Sequence, residues 1–266
     1  MTPFGSFTDI GVDIDGHIAV IELQRPPHNF FDLDLIQAIA GALESLDTET
    51  DCRAVVLAAA GRSFCAGAQL GGPADASTEP PPPGDRQGRH HLYYEAVRIF
   101  ETGLPIVAAV QGAAIGGGFG LALAADFRIA CPEARFSANF ARLGFHHGFG
   151  LTVTLPALVG QQQALRMLYT GIRVKGEDAL PMGLCDELVP ADDLRPRAME
   201  FANEIATSAP LAVRSIRRTM RQGLAARIRL ATDHEQVEQD WLRRTDDFRE
   251  GVQSSAERRD GDFTGR

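Results

Sequence analysis

Short apolar runs separated by polar turns recur along the first two thirds of the chain. Phe7 to Ile14 and Ile18 to Gln24 flank the turn Asp15-Gly16 and read as two strands. After Asn29, apolar residues from Asp32 to Leu46 fall at helical spacing, which predicts an amphipathic helix. Strands and helices then alternate: a strand Ala54–Ala58, a helix around Leu92–Glu101, a strand Ile106–Val110, a helix Leu121–Ala125 and a strand Phe127–Ala130. That alternation predicts an α/β fold of parallel strands with helical crossovers. From Asp192 onward the pattern is almost wholly helical, broken at Ala209-Pro210, with a long charged helix from Asp233 to Arg249 that carries Trp241 on one side. The arginines between Arg214 and Arg229 interleave with Ile216, Met220, Leu224 and Ile228, as on a solvated helix face; the alternative is that some of them meet phosphates.

Between the strand Ile106–Val110 and the helix Leu121–Ala125, the segment Gly112 to Gly120 holds five glycines in nine residues. Glycine lets the chain turn sharply and lets backbone approach a ligand. Free N–H groups at a helix start, with the positive end of the dipole, receive negative charge. Neither phosphate-binding pattern fits. Gly116 and Gly118 are followed by Leu121 where a dinucleotide fingerprint needs its third glycine, and no Lys-Ser/Thr pair follows the last glycine. An oxyanion hole remains, in which backbone amides meet charge developing on a carbonyl oxygen. Close helix–strand packing is the competing explanation.

Composition narrows the setting. A chain of 266 residues fits one large domain, or a domain with a helical appendage, and no apolar stretch is long enough to cross a membrane. A net charge of −9 disfavours a nucleic-acid partner. Cys52, Cys65, Cys131 and Cys185 lack paired spacing and read as free thiols. With no secretory pattern at Met1–Gly5, the expected compartment is the cytoplasm. Pro73 to Gly88, with four consecutive prolines at Pro80–Pro83, predicts an extended segment that is either a substrate lid or a plain spacer.

A second loop gives the glycine segment a context. Gly61-Arg62-Ser63-Phe64-Cys65-Ala66-Gly67-Ala68-Gln69-Leu70 follows the strand Ala54–Ala58, and Gln111 to Gly120 comes about fifty residues later. With Gln24-Arg25-Pro26-Pro27-His28-Asn29, Phe136 to Gly160 and Asp246 to Arg259, the sequence closely resembles the crotonase (enoyl-CoA hydratase/isomerase) superfamily over roughly residues 7 to 263. The resemblance implies a right-handed spiral of ββα units over 1–191 carrying an acyl-CoA site, and a C-terminal helical region over 192–266 that packs subunits into a homotrimer or a dimer of trimers. It implies a coenzyme A thioester as substrate and no other cofactor. Ala66 and Gly117 would supply the two oxyanion amides. Arg25, Pro27, Ala66, Ala68, Gln69 and Leu70 would touch the coenzyme A moiety, and Phe263 its adenine. Gly116 and Phe140 would border the acyl group; Tyr93 stands where family dehalogenases carry a histidine, and would either donate a hydrogen bond or line the acyl pocket.

The acid–base positions depart from the family pattern. Its hydratases use two glutamates, where this chain has Gly120 and Phe140, and its isomerases use a carboxylate where Gly148 stands. Water addition by that route lacks both its acid and its base. His147 takes the carboxylate position of dihydroxynaphthoyl-CoA synthases, with His146 beside it. Either can exchange protons near neutral pH, or both can pack and cap the following helix. Isomerisation, hydrolysis or C–C cleavage through an enolate are the candidate reactions. A coenzyme A-binding module with little catalysis is the alternative. Exposed loop histidines are the expectation for His90 and His91, with Glu95 a surface partner for His91, and no group of ligands has metal spacing. Asp126 and Glu235 are further acids that the fold could bring to a cavity.

Overall fold

A computed structural model of the chain describes residues 7–48, 51–70 and 92–266. The proline-rich segment, His90 and His91 lie outside the described residues. The element order is β1 (Ile10–Asp15), β2 (Ile18–Leu23), α1 (Leu33–Thr48), β3 (Ala54–Ala59), α2 (Leu92–Glu101), β4 (Ile106–Val110), β5 (Ala113–Ile115), α3 (Gly117–Ala124), β6 (Phe127–Ala130), β7 (Arg135–Ser137), α4 (Leu151–Thr170), β8 (Val174–Lys175), α5 (Gly176–Met182), β9 (Glu187–Leu188), α6 (Leu194–Ala206), α7 (Pro210–Met220), α8 (Leu224–Leu242) and α9 (Asp246–Glu257). A six-stranded sheet runs β1-β2-β3-β4-β6-β9, and a three-stranded sheet runs β5-β7-β8. Within the large sheet only β1 is antiparallel to its neighbour.

The two sheets record the spiral. β4 lies in the large sheet, β5 in the small one, and α3 follows; β6, β7 and α4 repeat that order. β3 starts an equivalent turn, because Cys65 makes an isolated parallel bridge to Ala114 at the edge of the small sheet. β3 and β4 read as continuous apolar runs because both of their faces are covered. Val55 and Leu57 face the main core, while Val56 and Val107 face α6. α6 seats itself there through Leu194, Ala198, Ala202 and Ala206, an i, i+4 stripe whose small side chains admit close approach. The C-terminal helices thus pack on the spiral.

Three elements differ from the sequence expectation. The glycine helix starts at Gly117, not Leu121; the weak helical propensity of its glycines hides that first turn from the sequence pattern. The charged helix expected from Asp233 to Arg249 is two helices, because Thr245 caps α9 by accepting a hydrogen bond from Phe248 N at 3.1 Å. The arginine face is not wholly solvated. Arg217 is buried against Asp126, with Nε at 2.9 Å, and Arg221 reaches the same carboxylate at 2.6 Å. Asp126 also accepts from Ile106 N at 2.8 Å, so it fastens α7 to the start of β4. Trp241 is exposed, with its indole N–H donating to Glu238. Glu95 is buried and pairs with Arg98. The four cysteines are free thiols, all buried.

Candidate active site

The glycine segment and the loop after β3 are joined amide by amide. Cys65 N donates to Ala113 O at 2.9 Å, Ile115 N donates to Cys65 O at 3.0 Å, and Gly116 N donates to Ser137 O at 2.8 Å. On the other side of the loop, Ala66 N donates to His28 O at 3.0 Å and Phe31 N donates to Gly67 O at 3.0 Å. The N–H of Ala66 is therefore spent inside the fold and is not available to an oxyanion. The next amide differs. A trans peptide points its N–H opposite to its C=O. With Gly67 O aimed at Phe31, Ala68 N–H is turned away from that strand. Ala68 is exposed, and neither its N–H nor that of Gly117 has a hydrogen-bond partner among the described residues.

Gly67 packs the outer loop against the start of the glycine helix. Its φ is +85°, and a Cβ there would sit 2.8 Å from Ile115 O and 3.9 Å from Gly117 N. Only glycine allows that backbone and that approach. Gly118 answers it from the helix: a Cβ there would lie 2.1 Å from Cys65 O. Gly117 opens α3, so its N–H is an orphan of the first turn at the positive end of the dipole. Asn29 locks the outer loop in place. It is buried at φ 50°, and its Nδ2 donates to Ala60 O at 2.7 Å and Ser63 O at 2.8 Å. The sequence signal for this role is asparagine's tolerance of positive φ.

Aromatic rings occupy the ground beneath the glycines. A Cβ at Gly117 would meet Phe31 Cζ at 2.2 Å, one at Gly120 would meet Phe149 Cβ at 2.6 Å, and one at Gly116 would meet Phe140 Cζ at 3.7 Å. At Gly148 a Cβ would meet Tyr93 Oη at 1.7 Å. At Gly120 and Gly148, two of the positions where the resemblance would place a carboxylate, the neighbouring rings leave no room for a side chain. Tyr93 is buried, which raises its phenol pKa, with Glu235 adding to the effect.

The two histidines face α8. Their rings stack at 4.1 Å, and His146 Nδ1 donates to His147 O at 2.8 Å. Gln239 Nε2 donates to His146 O at 2.9 Å. His147 Nε2 lies 2.8 Å from Thr152 Oγ1, and the Thr152 hydroxyl lies 2.6 Å from Glu235 Oε1. Glu235 is fully buried and also accepts from Gly150 N at 2.9 Å and Thr152 N at 3.1 Å. Burial pushes its carboxyl pKa up, against the lowering effect of the hydrogen bonds from Thr152 and Gly150. Burial, with His146 and His234 nearby, pushes the His147 imidazole down to about 3. His147 Nδ1 has no hydrogen-bond partner among the described residues.

The expected coenzyme A contacts spread over several loops. Pro27 and Gln69 are exposed, and Leu70 is half-buried. Arg25 is held by Asp9 and Asp32, each at 2.7 Å, so most of its charge is already answered. Phe263 is exposed on a C-terminal tail tied to α9, where Asp262 N donates to Glu250 at 2.9 Å and Thr264 N to Asp247 at 2.7 Å. No group of three or more His, Cys, Asp or Glu among the described residues could hold a metal ion.

Comparison with known proteins gives this geometry a family. The family model described as Enoyl-CoA hydratase/isomerase matches residues 13–266. The probable enoyl-CoA hydratase EchA14 of Mycobacterium tuberculosis is 37% identical over 211 residues, covering 79% of this chain and 80% of the relative. The (E)-benzylidenesuccinyl-CoA hydratase of Thauera aromatica is 30% identical over 260 residues, covering 96% and 99%. Among solved structures, an enoyl-CoA hydratase/isomerase from Pseudoalteromonas atlantica superposes with a TM-score of 0.86 at 27% identity, covering 97% of this chain and all of that one. A match spanning nearly the whole chain, on a spiral whose paired loops converge at a glycine helix, makes this protein a member of the enoyl-CoA hydratase/isomerase family of the crotonase superfamily.

Proposed function

We propose that this protein binds a coenzyme A thioester and stabilises its enolate between the amides of Ala68 and Gly117, with His147 moving the α-proton. The observation that carries the reading is the Gly67–Ala68 peptide: its carbonyl accepts from Phe31 N at 3.0 Å, and among the described residues the Ala68 N–H is left uncommitted, as is that of Gly117. Two fixed donors bind an enolate oxygen more tightly than a neutral thioester oxygen, and one such donor is worth about 3–4 kcal/mol in comparable enzymes. Ala66, with its amide engaged, serves through its carbonyl or not at all. Arg25, Pro27, Gln69 and Leu70 border the coenzyme, and Phe263 is available to its adenine.

Hydration by two glutamates is not the reaction we assign. Isomerisation, thioester or diketone hydrolysis, and C–C cleavage all proceed through the enolate and need one proton-transfer group. A crystal structure with butyryl-CoA tests the core of the proposal. The thioester oxygen should lie within about 3.1 Å of both nitrogens, the span expected of oxyanion donors. An oxygen bound to neither amide overturns it. One observation favours the second reading, a coenzyme A-binding module: the Phe31 ring lies directly against Gly117. Tight binding of acyl-CoA without α-proton exchange in D2O would decide for the module. We further propose a cytoplasmic homotrimer or dimer of trimers. Its support is an exposed stripe of Leu230, Val237 and Trp241 on α8.

A further inference from the structure

An imidazole held near pKa 3 is by itself a weak base at neutral pH, because burial among other histidines disfavours its cation. The structure supplies a way around the cation. His147 Nε2, Thr152 Oγ1 and Glu235 Oε1 form a continuous chain with links of 2.8 and 2.6 Å. We propose that this chain is a proton relay, in which His147 Nδ1 takes the α-proton of the thioester while the relay delivers a different proton to Glu235. The inference rests on the reading that His147 transfers that proton.

The relay starts from an ionised Glu235, and the hydrogen-bond inventory then sets its direction. An ionised Glu235 can only accept, so the Thr152 hydroxyl donates to it. The Thr152 lone pair then accepts from His147 Nε2–H, and Nδ1 carries the ring's lone pair. On reaction the α-C–H bond breaks and an Nδ1–H bond forms, while the C–H electron pair moves into the enolate. The Nε2 proton passes to Thr152 Oγ1, and the former hydroxyl proton passes to Glu235 Oε1. The ring ends neutral, in its other tautomer, and no imidazolium forms. Reversal of the same steps returns a proton from Nδ1 to substrate carbon. Glu235 suits the role because burial raises its affinity for a proton, whereas it lowers that of the ring. The groups that face the pair are Tyr93 from α2, His146 from the same loop and His234 from α8. Thr152 and Glu235 are positioning residues; neither is assigned contact with substrate.

The decisive variant is Thr152→Val, because the Glu235 carboxylate keeps its two backbone donors, Gly150 N and Thr152 N. Thr152→Ser retains the hydroxyl. In wild-type protein, nitrogen NMR of the histidine rings should show His147 protonated at Nε2 at neutral pH. On acidification it should convert to the Nδ1–H tautomer before any imidazolium appears. Thr152→Val should abolish that conversion, and Thr152→Ser should keep it. An imidazolium forming directly in the wild type, or a conversion untouched by Thr152→Val, overturns the relay. With butyryl-CoA in D2O, α-proton exchange should fall at least about a hundredfold in Thr152→Val, the scale of a lost acid–base group, and recover in Thr152→Ser. Exchange that persists unchanged in Thr152→Val removes the relay and leaves the enolate reading standing. A pH-dependent tautomer with no exchange in the wild type does the reverse.

Discussion

A buried imidazole that stays neutral makes stability depend on pH, and His147 does so in a defined window. Its folded pKa is held at about 3 against an ordinary 6.5, and its side chain is 18% exposed. Below about pH 6.5 the unfolded chain takes up a proton that the folded chain refuses, so stability falls as pH falls, by about 1.4 kcal/mol per unit, until about pH 3. Urea midpoints between pH 7 and 4 should therefore drop less steeply in His147→Gln than in the wild type. Parallel slopes would show that the ring titrates freely in the folded state. Glu235 acts in the opposite sense: its raised pKa means that stability is lost as pH rises through its titration. In catalysis, His147→Ala should lower α-proton exchange on butyryl-CoA at least about a hundredfold, and an unchanged rate would take the ring out of the reaction. The histidine pair is legible in the sequence as two adjacent imidazoles. Its partner was not, because Glu235 is 83 residues from Thr152 in the sequence and meets it only when α8 crosses the start of α4. The engagement of the Ala66 N–H by His28 O was hidden from the sequence for a similar reason. Which of Ala66 and Ala68 offers its N–H depends on the plane of one peptide, and no pattern of side chains records that.

Elements were most readable where both faces of a strand are buried. β3 and β4 announce themselves as unbroken apolar runs, and α1 as a periodic one that opens where Asp32 Oδ1 accepts from Leu35 N at 3.0 Å. β5, β7 and β8 span two or three residues each, too short for any period to register, yet they carry the spiral from turn to turn. The arginine face of α7 misleads for the converse reason. Its helical spacing is real, but Arg217 turns inward to a carboxylate from the loop before β6. Removing one member of such a buried pair leaves the other uncompensated, at a cost of about 3–5 kcal/mol. Asp126→Ala should therefore destabilise the fold by that amount in chemical denaturation while leaving butyryl-CoA affinity of the folded fraction intact. A loss below about 1 kcal/mol, the ceiling for an exposed pair, would place Arg217 in solvent. Asp126 thus works for the scaffold, although sequence alone could offer it to a cavity as readily as Glu235.

At the scale of the molecule, α8 is inside out. Its buried face is Ile228, Thr232, Glu235 and Gln239, spaced i, i+4, i+7 and i+11, whereas Leu230, Val237 and Trp241 stand exposed on the opposite face. An isolated surface helix arranges polarity the other way. The inward polar face is explained by the site, since Glu235 and Gln239 hold the histidine loop. The outward apolar face has no such account within one chain: Leu230 is 72% exposed and Trp241 53%. Large apolar side chains exposed along one face of a helix mark an interaction site. If other copies of the chain cover it, light scattering at micromolar concentration should give a mass of three or six chains. Val237→Glu combined with Trp241→Glu should lower that mass while the far-ultraviolet spectrum stays unchanged, because neither side chain is part of the core. The same double variant separates the two faces of the helix. Retention of the His147 tautomer in the dissociated form would show that α8 positions the relay without help from a neighbour. A wild-type monomer at that concentration would leave the stripe to another partner and refute self-association.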